Sequence, residues 1–84
     1  MYKFTLDGIY TNISFDTAGA GASVPTGITY ANGFFWITDS TDDQVYQFTL
    51  NGTYTGVNWD TAGAGSDNPT DIEYAKNHFW ITDN

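Results

Sequence analysis

Cysteine and arginine are absent from this 84-residue chain, lysine and proline occur twice each, and histidine occurs once. Without cysteine there is no disulfide framework, and with His78 as the only imidazole neither a zinc centre nor a Ser-His-Asp arrangement has the residues it needs. Ten acids against Lys3 and Lys76 leave a formal charge of −8. That balance argues against nucleic acid and anionic membranes as partners. It fits a protein that repels its neighbours, a cation binder or a salt-adapted source. No apolar run approaches the ~18 residues of a membrane helix, and Met1-Tyr-Lys-Phe starts directly in a strand pattern. The expectation is a soluble protein, cytoplasmic as expressed, without a signal peptide. Helical periodicity is missing throughout, which predicts an all-β chain.

Aromatic side chains are abundant, at 18% of the residues, and call for a tightly packed core. The chain also repeats itself. A shift of 44 positions lays residues 2–40 on residues 46–84 without a gap, and 23 of the 39 pairs are identical. Strand-like runs occupy 1–6, 9–16, 26–31, 34–39, 44–50, 53–60, 70–75 and 78–83. Two-residue hairpin turns are expected at Asp7-Gly8, Asn32-Gly33, Asn51-Gly52 and Lys76-Asn77. The longer connections are 40–43 and the glycine-rich stretches 17–24 and 61–68. Residues 34–39 (FFWITD) are apolar on both faces, as in a strand packed between two sheets. Residues 53–60 are half polar, as on a wet outer rim. Strand repeats of this length predict a β-propeller of four-stranded antiparallel blades. The single unit, 1–84, then divides into repeats 1–44 and 45–84. It reads as a half blade (1–16), a full blade (25–60) and a half blade (69–84).

Residues 25–52, with the pattern P-T-G-I-x-x-x-x-G-x-x-W-I-T-D-x-x-x-x-x-V-x-x-F-x-x-x-G, resemble an NHL-type propeller repeat. The second copy keeps Pro69, Ile72, Trp80 and Asp83 but has Asp71 in place of Gly27 and Asn77 in place of Gly33. The resemblance implies a propeller, often six-bladed, used mostly for binding and scaffolding. Related six-bladed enzymes carry metal ligands in unlike blades, and this chain has no such set. The near-identity of the copies is what a recently duplicated, reconstructed or engineered symmetric propeller shows.

Three kinds of site residue follow. Eight of the ten acids fall at one end of the blades. Asp39, Asp42, Asp43 and Asp83 there are candidates for weak Ca²⁺ binding, against the plainer role of capping turns. Trp59 is the candidate for ligand stacking, as in a lectin-like sugar binder, whereas Trp36 and Trp80 are expected in the core. The motif Gly19-Ala-Gly21 and its copy Gly63-Ala-Gly65 precede strands, so they are not phosphate loops.

Two blades cannot close a ring, and repeat arrays need about three or more units to bury a continuous core. The partner expected is therefore the chain itself. Residues 79–83 would pair with residues 2–6 of a second copy, with Tyr2, Phe4, Leu6, Phe79 and Ile81 at the joint. A homotrimer gives six blades and a homotetramer eight. The expected function is that of a non-catalytic scaffold or binding module without a required cofactor.

Overall fold

The computed structural model describes residues 1–14, 17, 21, 24–66 and 68–83. Eight strands run in order: β1 (Tyr2–Phe4), β2 (Tyr10–Ser14), β3 (Pro25–Ala31), β4 (Phe34–Asp39), β5 (Gln44–Phe48), β6 (Tyr54–Asp60), β7 (Pro69–Ala75) and β8 (His78–Asp83). They form antiparallel sheets of order β1-β2, β3-β4-β5-β6 and β7-β8. The chain is all-β, with one four-stranded sheet flanked by two hairpins.

The repeat is legible bond by bond. Register in β3–β4 runs Ile28↔Ile37, Thr29↔Trp36 and Tyr30↔Phe35. In β7–β8 it runs Ile72↔Ile81, Glu73↔Trp80 and Tyr74↔Phe79, each 44 residues on. Trp36 Nε1 donates to Ala31 O at 3.0 Å, and Trp80 Nε1 donates to Ala75 O at 3.2 Å. Both β1–β2 and β5–β6 carry a bulge, with left-handed Asn12 (φ 65°) in one copy and Gly56 (φ 90°) in the other. Local hydrogen bonding thus follows local sequence, whatever surrounds it.

The turns at Asn32-Gly33 and Lys76-Asn77 have positive φ at both residues, as two-residue hairpins require. The other two turns differ from expectation. Thr5 N–H donates to Ile9 O at 2.8 Å and Gly8 N–H to Thr5 O at 3.0 Å. The loop is therefore Leu6-Asp7-Gly8, a type I turn closed by left-handed Gly8 (φ 86°), and Asp7 is not left-handed. The Thr5 hydroxyl selects this form by accepting Ile9 N–H at 3.1 Å. Thr49 does the same for Thr53 N–H at 3.0 Å around Leu50-Asn51-Gly52. Strands expected to reach residues 6 and 50 accordingly stop at Phe4 and Phe48. The second long loop also holds a short 3-10 turn, Ala62–Ala64. Thr61 anchors it: its hydroxyl donates to Ser66 O at 2.7 Å and its N–H to Asp43 O at 2.7 Å.

Packing lies on both faces of the four-stranded sheet. One face holds Ile37, Tyr46 and Phe48 with Met1, Phe35 and Tyr54 beside them. The other gathers Ala31, Trp36, Val45 and Ile72, joined by Trp59, Tyr74, Phe79 and Ile81. The second cluster fastens β7–β8 to β3–β4–β5. Buried side chains such as Phe48, Ile37 and Val45 contribute about 1.5–3 kcal/mol each. The edge strands β3 and β7 of the two sheets run close together. Thr26 Oγ1 donates to Pro69 O at 3.0 Å, and Thr29 Oγ1 accepts Tyr74 N–H at 3.2 Å. A Cβ on Gly27 would lie 2.5 Å from Asp71 Oδ1 and 2.6 Å from Asp71 Cα, so only glycine fits this seam.

Trp80 departs from expectation. Trp36 is 9% exposed, but Trp80 is 61% exposed. Both indoles donate to a carbonyl at the hairpin turn, but Trp36 is covered by Phe79, whose ring lies tilted at 54° with centroids 4.9 Å apart.

Candidate functional site

The acidic end is built from loops that follow the strands, and its best-placed carboxylates, Asp39 and Asp83, accept backbone amides. Asp39 ends β4 and is fully buried. Its Oδ2 accepts Val24 N–H at 2.8 Å, and its Oδ1 accepts Thr41 N–H at 2.9 Å and Asp42 N–H at 3.0 Å. A carboxylate holding three amides clamps the loop to the strand end; a cation would have to displace those donors. Asp83, its copy, is exposed and accepts Asn68 N–H at 3.1 Å. Asp42 Oδ2 accepts the Tyr46 hydroxyl at 2.7 Å. Burial, then this hydrogen bond and the charge of Asp42, push the Tyr46 phenol well above its ordinary value. Asp43 is left-handed (φ 57°) and half-buried, and its carbonyl accepts Thr61 N–H. Asp16 and Asp67, the other loop acids of this end, lie outside the described residues, as do most of residues 17–24. Among the described residues no three acidic or imidazole groups converge as a metal cluster.

Trp59 is half-buried, with its ring 6.0 Å from that of Phe79 in the core between the sheets. Its place is at the seam, where a polar outer strand turns one large side chain inward.

Of the six edge strands in the three described sheets, two stand apart, and apolar faces lie open beside them. β4 and β5 pair in the middle of their sheet, whereas their copies β8 and β1 each end a two-stranded sheet among the described residues. Tyr2 and Phe4 stand exposed on β1. Phe79 and Ile81 direct their side chains into the inter-sheet cluster, leaving the β8 backbone edge for pairing. Leu6 sits at the hairpin tip, fully exposed and outside β1, so it takes no part in a strand joint; the three-residue turn removes it.

The exposed faces follow from the same repeat, which leaves Phe, Trp and Ile uncovered on the outer faces of a single chain. Ile28 is 44% exposed while its copy Ile72 is 3% exposed, and Tyr30 stands bare while Tyr74 is half-buried. Between the β1–β2 hairpin and the face of Ile28 and Phe35 lies an apolar groove of about 460 Å³. Its signal in the sequence was the repeat itself: a residue covered by a neighbouring sheet in one copy has a counterpart in the other that lacks such a cover.

No family model, no curated protein and no solved structure matches this chain.

Proposed function

We propose that the chain is a two-blade subunit of a self-assembling β-propeller, a scaffold or binding module with no catalytic step. The observation that carries this reading is the open pair of edges. β8 and β1 repeat β4 and β5, whose pairing runs Phe35↔Phe48, Trp36↔Gln47 and Ile37↔Tyr46. Subtracting or adding the period puts Phe79 opposite the partner's Phe4, Trp80 opposite the partner's Lys3 and Ile81 opposite the partner's Tyr2. The joint completes a four-stranded blade between copies and removes edges that otherwise invite uncontrolled pairing. It is a heterologous contact, so the angle between blades decides closure. Six blades suit a 44-residue NHL-like unit, which makes a trimer the expected ring; a tetramer would have eight.

Native mass spectrometry at micromolar concentration tests the reading. A particle of three chains is the expected result, four chains would replace six blades with eight, and a folded single chain would overturn the assembly.

A further inference from the structure

The groove between the β1–β2 hairpin and the β3–β4 face has a counterpart already filled. On the opposite face of the same sheet, β7–β8 lays Ile72, Tyr74, Phe79 and Ile81 against Ala31, Trp36 and Val45. The next blade of a repeat therefore docks with the face carrying Ile72, Tyr74 and Phe79. In the middle sheet the copies of those residues are Ile28, Tyr30 and Phe35, two of them lining the groove. What belongs against them is the face carrying Ala31 and Trp36, whose copies are Ala75 and Trp80. Trp80 stands uncovered at 61% exposure, flanked by Asp71 and Glu73 around a shallow hollow.

Charge singles out the occupant. Across the complete sheet one row of neighbours reads Thr29, Trp36, Gln47. All three are neutral, and Thr29 faces β7, since its hydroxyl accepts Tyr74 N–H. Moved by 44 residues, the row reads Glu73, Trp80, Lys3, but Lys3 lies on a different half blade from the other two. Only the union of two copies assembles it. The two exchanges are complementary: an acid and one of the chain's two lysines are placed on either side of an indole. A lysine beside tryptophan gains from the ring face, and a carboxylate across the ring adds to it.

Resting on the self-assembly reading, we propose that a second copy seats its β7–β8 hairpin in this groove. Lys3 then meets the partner's Trp80 and the partner's Glu73 in one charge-complementary row. The row favours this pairing over others in a chain whose net charge of −8 repels its copies, and it weakens as salt screens it.

The test is a charge swap followed by native mass spectrometry and sedimentation at low salt. Both residues are exposed in the single chain, so Lys3→Glu and Glu73→Lys keep its fold, checked by circular dichroism. Each is expected to weaken association about tenfold, as attraction across the row becomes repulsion. The double variant Lys3→Glu/Glu73→Lys restores association to within about twofold, and that rescue excludes a general charge effect. Single variants that assemble like the wild type, or a double variant as weak as the singles, overturn the row while leaving self-assembly standing. A wild-type chain that stays single at every concentration overturns self-assembly and the row together.

Discussion

The hairpins β3–β4 and β7–β8 are two copies of one design in unlike company. Their registers, their indole-to-carbonyl bonds and the Thr26/Thr38 and Thr70/Thr82 hydroxyl pairs, at 3.0 and 2.9 Å, agree almost atom for atom. Their burial does not: Trp36 against Trp80, Asp39 against Asp83 and Ile28 against Ile72 each differ widely, in either direction. The difference separates two layers of folding. Hydrogen-bond geometry within each hairpin is set by the hairpin's own sequence, while burial depends on what lies across a face. Energy of the kind that makes a core belongs to the second layer.

The tryptophans test that separation most strongly. Trp36→Ala should lower the stability of the single chain by about 3–5 kcal/mol, the range for large aromatics in cores. Trp80→Ala should cost under about 1 kcal/mol there, since exposed substitutions away from special features cost little. Chemical denaturation at dilute, unassembled concentration gives both numbers. Equal losses would mean that Trp80 is covered in solution.

The aspartates come next. Removing the Asp39 carboxylate strands three amides at a buried strand end, so Asp39→Ala should cost about 3 kcal/mol. Asp83→Ala should cost less than about 1 kcal/mol by the same denaturation assay. A large loss at Asp83 would show that the end of β8 is held as firmly as the end of β4.

Making one copy resemble the other is a sharper probe. Gly27→Asp would force a Cβ to within 2.6 Å of the Asp71 backbone and should cost about 2 kcal/mol or more. Asp71→Gly should leave the single chain within about 1 kcal/mol of wild type. An unharmed Gly27→Asp variant, seen by thermal unfolding, would mean that β3 and β7 are not held close.

The smallest effect concerns Tyr46. A phenol raised in the folded state stabilises the protein below its unfolded value of 10.0 and loses that contribution as pH rises through the folded value. Stability should therefore decline as pH climbs above about 10, and Tyr46→Phe should flatten the decline. An unchanged pH dependence in the variant would assign the alkaline loss to other groups.

Much of the fold was legible in the sequence because turn chemistry and a 44-residue period are local properties. Asn32-Gly33 announced its hairpin, and the order of hairpin, four-stranded sheet and hairpin follows from the repeat alone. Leu6 and Leu50 continue a strand pattern yet lie in loops, because a hydroxyl one residue earlier, on Thr5 or Thr49, favours a longer loop than Asp-Gly or Asn-Gly suggests. The candidate site was less legible. Asp39 and Asp83 read alike, yet one is a buried clamp and the other an exposed acid, and nothing in either six-residue strand tells them apart. Trp59 looked like a rim residue because its neighbours are polar; only the arrival of Phe79 from another sheet shows that it turns inward.

The threonines at the β3–β7 seam have a consequence for which changes the seam tolerates. Thr26 and Thr29 hold the neighbouring strand through Pro69 O and Tyr74 N–H, that is, through its main chain. A grip on main-chain atoms is indifferent to which side chains the neighbour carries. These two bonds therefore tolerate changes in the neighbour's side chains, and the specificity of the seam falls to Gly27 and to the packing of Ile72, Tyr74 and Phe79.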